Sequence, residues 1–532
     1  MEKRTKVCGL APLSGIRGEG ERSLAEKRPS PVLKGGALAA VALGLMLMKA
    51  VPGMAADTAT GAGSGVAYGT GSNAPKAENV AIGKDATISY SGGVGMPSTG
   101  DIVIGNKAKT NNYIDQGGGI AIGSNSFVEN MVGGLERSFD FNQAGYKTLP
   151  FIGTPYGLPK HPDKMVTGVA IGQNTYARSG SVMLGTHNYK GALGDVTVDS
   201  ADVRSHNLLP FATALGANSY SHGLFSSVTG AYSIISSNYD GNDSSVASKN
   251  FGATITGSLN SIESATSSSN YSGVANSIVG TANRTANSNG SLIFGAGNEI
   301  TNSITDISVP SGNSTSAKDL ADKLRTAVNS SNSGGATLAI GGGNKADYTQ
   351  KTSIIGVNNT VKGANGSPSA YNFITGFKND VENVQHVSVI GSENAVENSK
   401  SQTVIGDSNK IIDRNAGTVS GKQEERTKNV SDLVIGKGND ISGNDTYMKG
   451  YESLTVIGNN NKAVNPSSGI VIGDNQKLSA IKESVVIGSM TPEEKADPDI
   501  QQKHASVVVG YHAQSGTRDG GGMNVVKFSA LT

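Results

Sequence analysis

Histidine, serine, aspartate and cysteine are the side chains here that could catalyse or ligate, and their spacing argues against both. His161, His187, His206, His222, His386, His504 and His512 are scattered, with no H-x-x-x-H or H-E-x-x-H pair to hold a metal ion. Gly341-Gly342-Gly343 is not followed by Lys and Ser or Thr, so it is not a phosphate-binding loop. Serines abound, yet no G-x-S-x-G follows a strand pattern in a convincing setting. Asp240-Gly-Asn-Asp243 offers oxygen ligands for calcium. It lacks the nonapeptide repetition of calcium-binding rolls, and Asp, Gly and Asn together also make a turn, which is the favoured reading. The only cysteine, Cys8, excludes a cysteine-ligated cluster and a disulfide within the chain. Neither a cofactor nor a metal is expected.

What recurs instead is a phrase without chemistry. Val389-Ile390-Gly391-x-x-Asn394 returns as Val404-Ile405-Gly406-x-x-Asn409, 15 residues later. Copies end at Gly83, Gly105, Gly123, Gly172, Gly185 and Gly216, and again at Gly341, Gly356, Gly376, Gly391, Gly406, Gly436, Gly458, Gly473, Gly488 and Gly510. A degenerate middle runs through Gly230, Gly257, Gly280 and Gly295. The spacings cluster at 13–15 residues, and the interval between Gly406 and Gly436 reads as two periods. The third residue after the glycine is Asn in most copies and Ala at 86, 108 and 513. A weaker apolar position follows two residues later, at Val396, Ile411, Ile441 and Ala463.

The unit dictates its own fold. Two or three β-branched residues make a short strand. Adjacent strand side chains point to opposite faces, so Val389 and Ile390 diverge, and a strand apolar on both faces needs cover on both. Glycine permits the bend, and Asn tolerates the left-handed backbone of a turn. About 15 residues then form two short strands and two turns, one coil of a solenoid. Some twenty coils stacked at about 4.8 Å give a rod of roughly 100 Å. One coil encloses a single narrow file of side chains, so the second apolar face calls for another subunit in closed symmetry, a homo-oligomer.

Composition agrees. With 72 glycines, no Trp and 5% aromatic residues, a conventional large core is excluded, and thin repeated cores remain. A net charge of +1 gives no field favouring nucleic acid or an anionic membrane. Ala37–Met48 is an apolar run of 12 residues behind Lys34 and ahead of Pro52-Gly-Met-Ala-Ala56. A basic flank, a short apolar stretch and small residues describe a secretory signal peptide within 1–56, cleaved after Ala55 or Ala56. Cys8 would leave with it. The remaining chain divides into a linker at 57–79, repeats at 80–300, an insertion at 301–335, repeats at 336–516 and a C-terminal segment at 517–532.

The insertions differ in character. Asn130–Thr167 carries Phe139, Phe141, Tyr146, Phe151 and Tyr156 among prolines. It reads as a ligand-contacting loop, or as one packed on the roll or a neighbouring subunit. Ala317–Val328 places Leu320, Leu324 and Val328 at i, i+4 and i+8, which predicts a docked amphipathic helix. Lys410–Asn429 and Met490–Lys503 are polar and are expected to be solvated.

Val80-AIGKDAT-Ile88, Ile102-VIGNKAK-Thr110, Ile120-AIGSNSF-Val128 and the stretch from Val169 to Asn188 resemble the YadA-like head repeats of trimeric autotransporter adhesins. The resemblance spans roughly Val80–Gln514. It implies a left-handed parallel β-roll, all-β and homotrimeric, on a bacterial outer surface, binding host matrix protein or other cells. Such proteins continue into a coiled-coil stalk and a membrane-anchoring β-barrel. No sustained apolar heptads occur here, and the chain ends in VVKFSALT, so a fragment is expected whose anchor lies in a region absent from this sequence. Three function classes compete: a non-catalytic adhesin head, a structural surface spacer or filament unit, and an enzyme on a β-helix. The last suits the sequence least, because left-handed acyltransferases repeat every six residues around a catalytic His and no His recurs here.

Overall fold

A computed structural model describes residues 61–91, 100–113, 117–130, 167–188, 211–236, 249–264, 272–304, 307, 317–331, 336–414, 431–443, 453–466, 469–479, 481, 484–497, 507–509, 514–517 and 524–527. The chain divides into Met1–Asp57 and Thr58–Thr532, and every described residue belongs to the second unit. That unit is all-β, with strands in 49% of the described residues against 6% helix, and its long sheets are parallel.

The coil containing Val389 illustrates the plan. Ser388–Ser392 is a strand of the first sheet, paired in parallel with Phe373–Phe377 on one side and Thr403–Ile405 on the other. Ala395–Glu397 is a strand of the second sheet, between Asp380–Glu382 and Lys410–Ile412. A third side pairs only through the bridges from Gln385 to Ala370 and Lys400. Glu393, Asn398 and Ser401 turn the three corners with φ of 56°, 46° and 55°. The coil therefore has three bends rather than the two turns expected, because the 15-residue period must close around a core one side chain wide.

Like pairs with like along the stack. Val389 lies between Ile374 and Val404, and Val396 between Val381 and Ile411, all buried. Both inward columns belong to one continuous apolar cluster running from Ala74 to Val486. Burying each Val or Ile removes its apolar surface from water, a gain of about 1.5–3 kcal/mol. Among the described residues the first sheet has 21 strands and the second 13, and a four-stranded sheet continues the second side in the N-terminal coils. The sole antiparallel pair among the described strands is Gln514–Thr517 with Asn524–Lys527.

Register corrects several boundaries. Val66–Tyr68, inside the expected linker, pairs with Val80–Ile82, so the stack begins a coil earlier. Thr403–Ile405 pairs directly with Leu433–Ile435, so Gly406 to Gly436 is one coil interrupted by an insertion, not two periods. Lys410–Asn429 is not simply solvated. Lys410–Ile412 is a strand, and Arg414 is wholly buried. Met490 is buried too, and helix α2, Pro492–Ala496, follows it behind a Thr491–Glu494 capping box. The predicted helix is present as α1, Ala317–Ser330. Its Leu320, Leu324 and Val328 pack with Leu224, Phe251, Val274 and Ile307 beside the stack.

Candidate functional site

The repeat glycines form a column. From Gly69 through Gly473 each lies against the next coil's glycine, and φ runs between 120° and 143° from Gly69 to Gly488. A Cβ on any of them would overlap that neighbour's carbonyl oxygen. Close approach and backbone conformation both exclude other residues. Gly510 lies outside the described residues.

Asparagine three residues on has a different task from the one expected. The left-handed residue is the one before it, such as Glu393 or Ser408. The Asn itself points inward. Asn394 Nδ2 donates to Asn379 Oδ1 (2.9 Å) and to Gly406 O (2.7 Å), and its backbone N–H donates to Asn379 Oδ1 (3.1 Å). The same contacts repeat from Asn283 to Asn461 and end at Gln476. This satisfied polar ladder fixes the coil register from within, since a slip would orphan buried donors.

A second column precedes the strand, four residues before each glycine, and several coils place a buried polar side chain there. Asn79 Oδ1 accepts from Asp101 N–H (3.1 Å), Asp101 Oδ1 from Gly119 N–H (2.8 Å), Asn372 Oδ1 from Val387 N–H (3.0 Å), and Asp432 Oδ1 from Leu454 N–H (2.9 Å). Asp432 is neutralised by Arg414, bidentate at 2.7 and 2.9 Å, with both side chains buried. Asp101 has neutral donors instead, Tyr90 Oη at 2.8 Å and Asn112 Nδ2 at 2.9 Å. Burial without a cation pushes its pKa up to about 6, against the lowering effect of those hydrogen bonds.

Stability should follow. The folded state holds the Asp101 proton more tightly than the unfolded chain, so the coil gains stability as pH falls from 6 toward 3.8. Between pH 7 and pH 5 the gain is expected at about 1 kcal/mol. Hydrogen exchange at the amides around Asp101, corrected for intrinsic rates, should show slower local opening at pH 5, and Asp101→Asn should abolish that difference. Equal dependence in the variant would refute the assignment.

Outward faces contrast sharply. On the first sheet the outward rows are the residues one and three before each glycine. Ile102 and Ile104, Leu292 and Phe294, Ile390, Ile405, and Ile470 and Ile472 all stand there with large exposed surface. No charged residue occupies either row from Val80 to Ile487. The second sheet's outward rows carry charges that pair between coils: Arg284 with Glu263 and Glu299, Lys362 with Glu382, and Lys462 with Asp440. The exposed pairs, Lys362 with Glu382 and Lys462 with Asp440, contribute about 0–1 kcal/mol each and mark a wet face there, whereas Glu263 under Arg284 is buried.

The sequence-derived candidates fall unevenly. Every described repeat glycine lies in the column. Phe139, Phe141, Tyr146, Phe151 and Tyr156, and Asp240–Asp243, lie outside the described residues, as do His161, His206, His504 and His512. The other histidines stay apart. His187 contacts Asn218 at a corner, His222 is buried on the second side, and His386 stacks on Tyr371 at 4.7 Å. Among the described residues no group of three or more His, Cys, Asp or Glu could hold a metal ion. The asparagine ladder was visible as a recurring letter but read as a turn residue. The column holding Asn79, Asp101, Asn372 and Asp432 could have been found by aligning the copies on their glycines. Neither a family model nor a curated protein matches the chain.

Proposed function

We propose that the chain is the head of a bacterial surface adhesin, an exported, non-catalytic binding rod that assembles as a homotrimer of left-handed β-rolls. The supporting observation is the uncharged face of the first sheet, apolar along the row one residue before each glycine apart from Thr229, Thr256 and Thr375, and mixed apolar and Ser or Thr along the row three before it. A strand of five residues across some twenty coils spans about 1,500 Å². Soluble monomers expose contiguous apolar patches of about 300–600 Å². A second copy suits this face better than another partner. Its rows repeat at the coil spacing, so copies of the chain match one another coil for coil. The charged second sheet then faces water, and its variable positions and the insertions present the binding surface. Three parallel copies raise weak single-site binding by about 10²–10⁴ through avidity. Host matrix proteins or other cell surfaces are the proposed partners.

Residues 57–532, expressed without the apolar leader, are expected to scatter light as a trimer and to bind immobilised matrix proteins or cultured cells. Replacing residues 131–166 by a short linker keeps Asn130 and Thr167, whose side chains contact Asn112 and Gly118. Lost adhesion with the assembly intact supports a ligand role for that insertion. Unchanged adhesion places binding elsewhere, and a monomer that binds nothing refutes the adhesin reading.

A further inference from the structure

The apolar row one residue before each glycine is broken in three described coils, by Thr229, Thr256 and Thr375. Each of those coils carries a large exposed apolar side chain just past its glycine: Tyr232, Leu259 and Phe377, at 51%, 58% and 39% exposure. In the other described coils that corner holds small, polar or charged residues, except for exposed Val357 and for Met490, which is buried. Two of the three have unfavourable backbones. Tyr232 and Leu259 sit at φ of 53° and 59°, a left-handed corner that other coils fill with Asn218, Asn358 or Gly343 and also with Lys107, Ala282 or Glu393. The left-handed region is more costly for such residues than for Asn or Gly, so a packing contact would help offset it.

We infer that in these three coils the subunit contact moves from the sheet face to the adjoining corner, where Tyr232, Leu259 and Phe377 pack against a second copy of the chain. This rests on the assembly proposed above. The corner is continuous with the apolar rows: Phe377 lies on the same outward side of its strand as Phe373 and Thr375. Apolar side chains appear at the corner in every described coil where the row one residue before the glycine has lost one. That exchange serves an interface that must be filled coil by coil. A separate ligand would have no reason to follow the threonines.

The test uses the full chain with Tyr232→Asn, Leu259→Asn and Phe377→Ser, residues that other coils tolerate at these corners (Asn218, Asn358, Ser392). A second variant adds Thr229→Ile, Thr256→Ile and Thr375→Ile. Circular dichroism checks the fold, and light scattering on dilution reads assembly. The first variant should dissociate at about 100-fold higher concentration than the wild type, and the second should recover. A monomeric wild-type chain would remove the assembly reading and this inference with it. An assembled wild type with an unchanged first variant would overturn this inference alone. So would weakening that the isoleucines fail to rescue, or lost cell binding with assembly intact, which would make the corner a ligand contact.

Discussion

Gly391→Ala is expected to break the stack at its own coil. The added methyl would overlap Gly406 O, a backbone atom that already accepts from Asn394 Nδ2 at 2.7 Å. Moving that carbonyl would also strain the bond from Gly406 N–H to Ile390 O (2.9 Å). Relief on the other side is closed, because Gly376 lies as tightly against Gly391 as Gly391 does against Gly406. The φ of 143° adds conformational strain for any residue with a Cβ. Together these put the cost at about 4 kcal/mol or more, the range reserved for disrupted backbone and packing. Gly342→Ala is the control. Its Cβ would meet only Ala296 O at 3.7 Å, an ordinary contact, so its stability should stay near wild type. Because coil stability is shared between nearest neighbours, the readout must be local. Hydrogen exchange should show the coils of Gly376, Gly391 and Gly406 opening together in Gly391→Ala and staying protected in Gly342→Ala. Protection in both at wild-type levels would show that the column tolerates a side chain.

That column explains why so much of the architecture could be read from sequence. A glycine at a fixed place in every coil is a backbone constraint written directly into residue type, and the alternation around it states which way each side chain points. Asn was equally visible but ambiguous, since its turn preference and its capacity to ladder predict the same recurrence. Only the pairing of Asn394 with Asn379 and Gly406 separates them. Insertions defeat arithmetic on spacings: the interval between Gly406 and Gly436 equals two periods yet is one coil. Arg414 looked like a solvated charge because its partner Asp432 lies beyond that insertion. The carboxylate occupies the column that faces inward, and the arginine follows it out of water. Asp101 occupies the same column without such a partner, and nothing in its local sequence separates the two cases.

The two residues before Gly391 give the sharpest division between fold and assembly. Val389 is 0% exposed, between Ile374 and Val404, whereas its neighbour Ile390 is 44% exposed. Val389→Asp places a carboxylate inside a file one side chain wide, with apolar residues above and below. The interior offers it no cation, and an unpaired buried charge costs several kcal/mol even after relaxation. The coil is expected to open, with loss of β-sheet circular dichroism and rapid proteolysis near 389. Ile390→Asp leaves that interior untouched, so a folded monomer is expected with a wild-type spectrum. In the proposed trimer the substitution removes an apolar contact from each copy and brings three like charges toward one axis. Exposed on a monomer the carboxylate costs little, and enclosed between copies it costs the desolvation of each charge as well as their repulsion. Size-exclusion profiles should therefore separate the variants: Val389→Asp heterogeneous and protease-sensitive, Ile390→Asp a compact monomer. If Ile390→Asp retained the wild-type trimer, the first sheet's outer face could not be the subunit contact, and its uncharged rows would need another occupant.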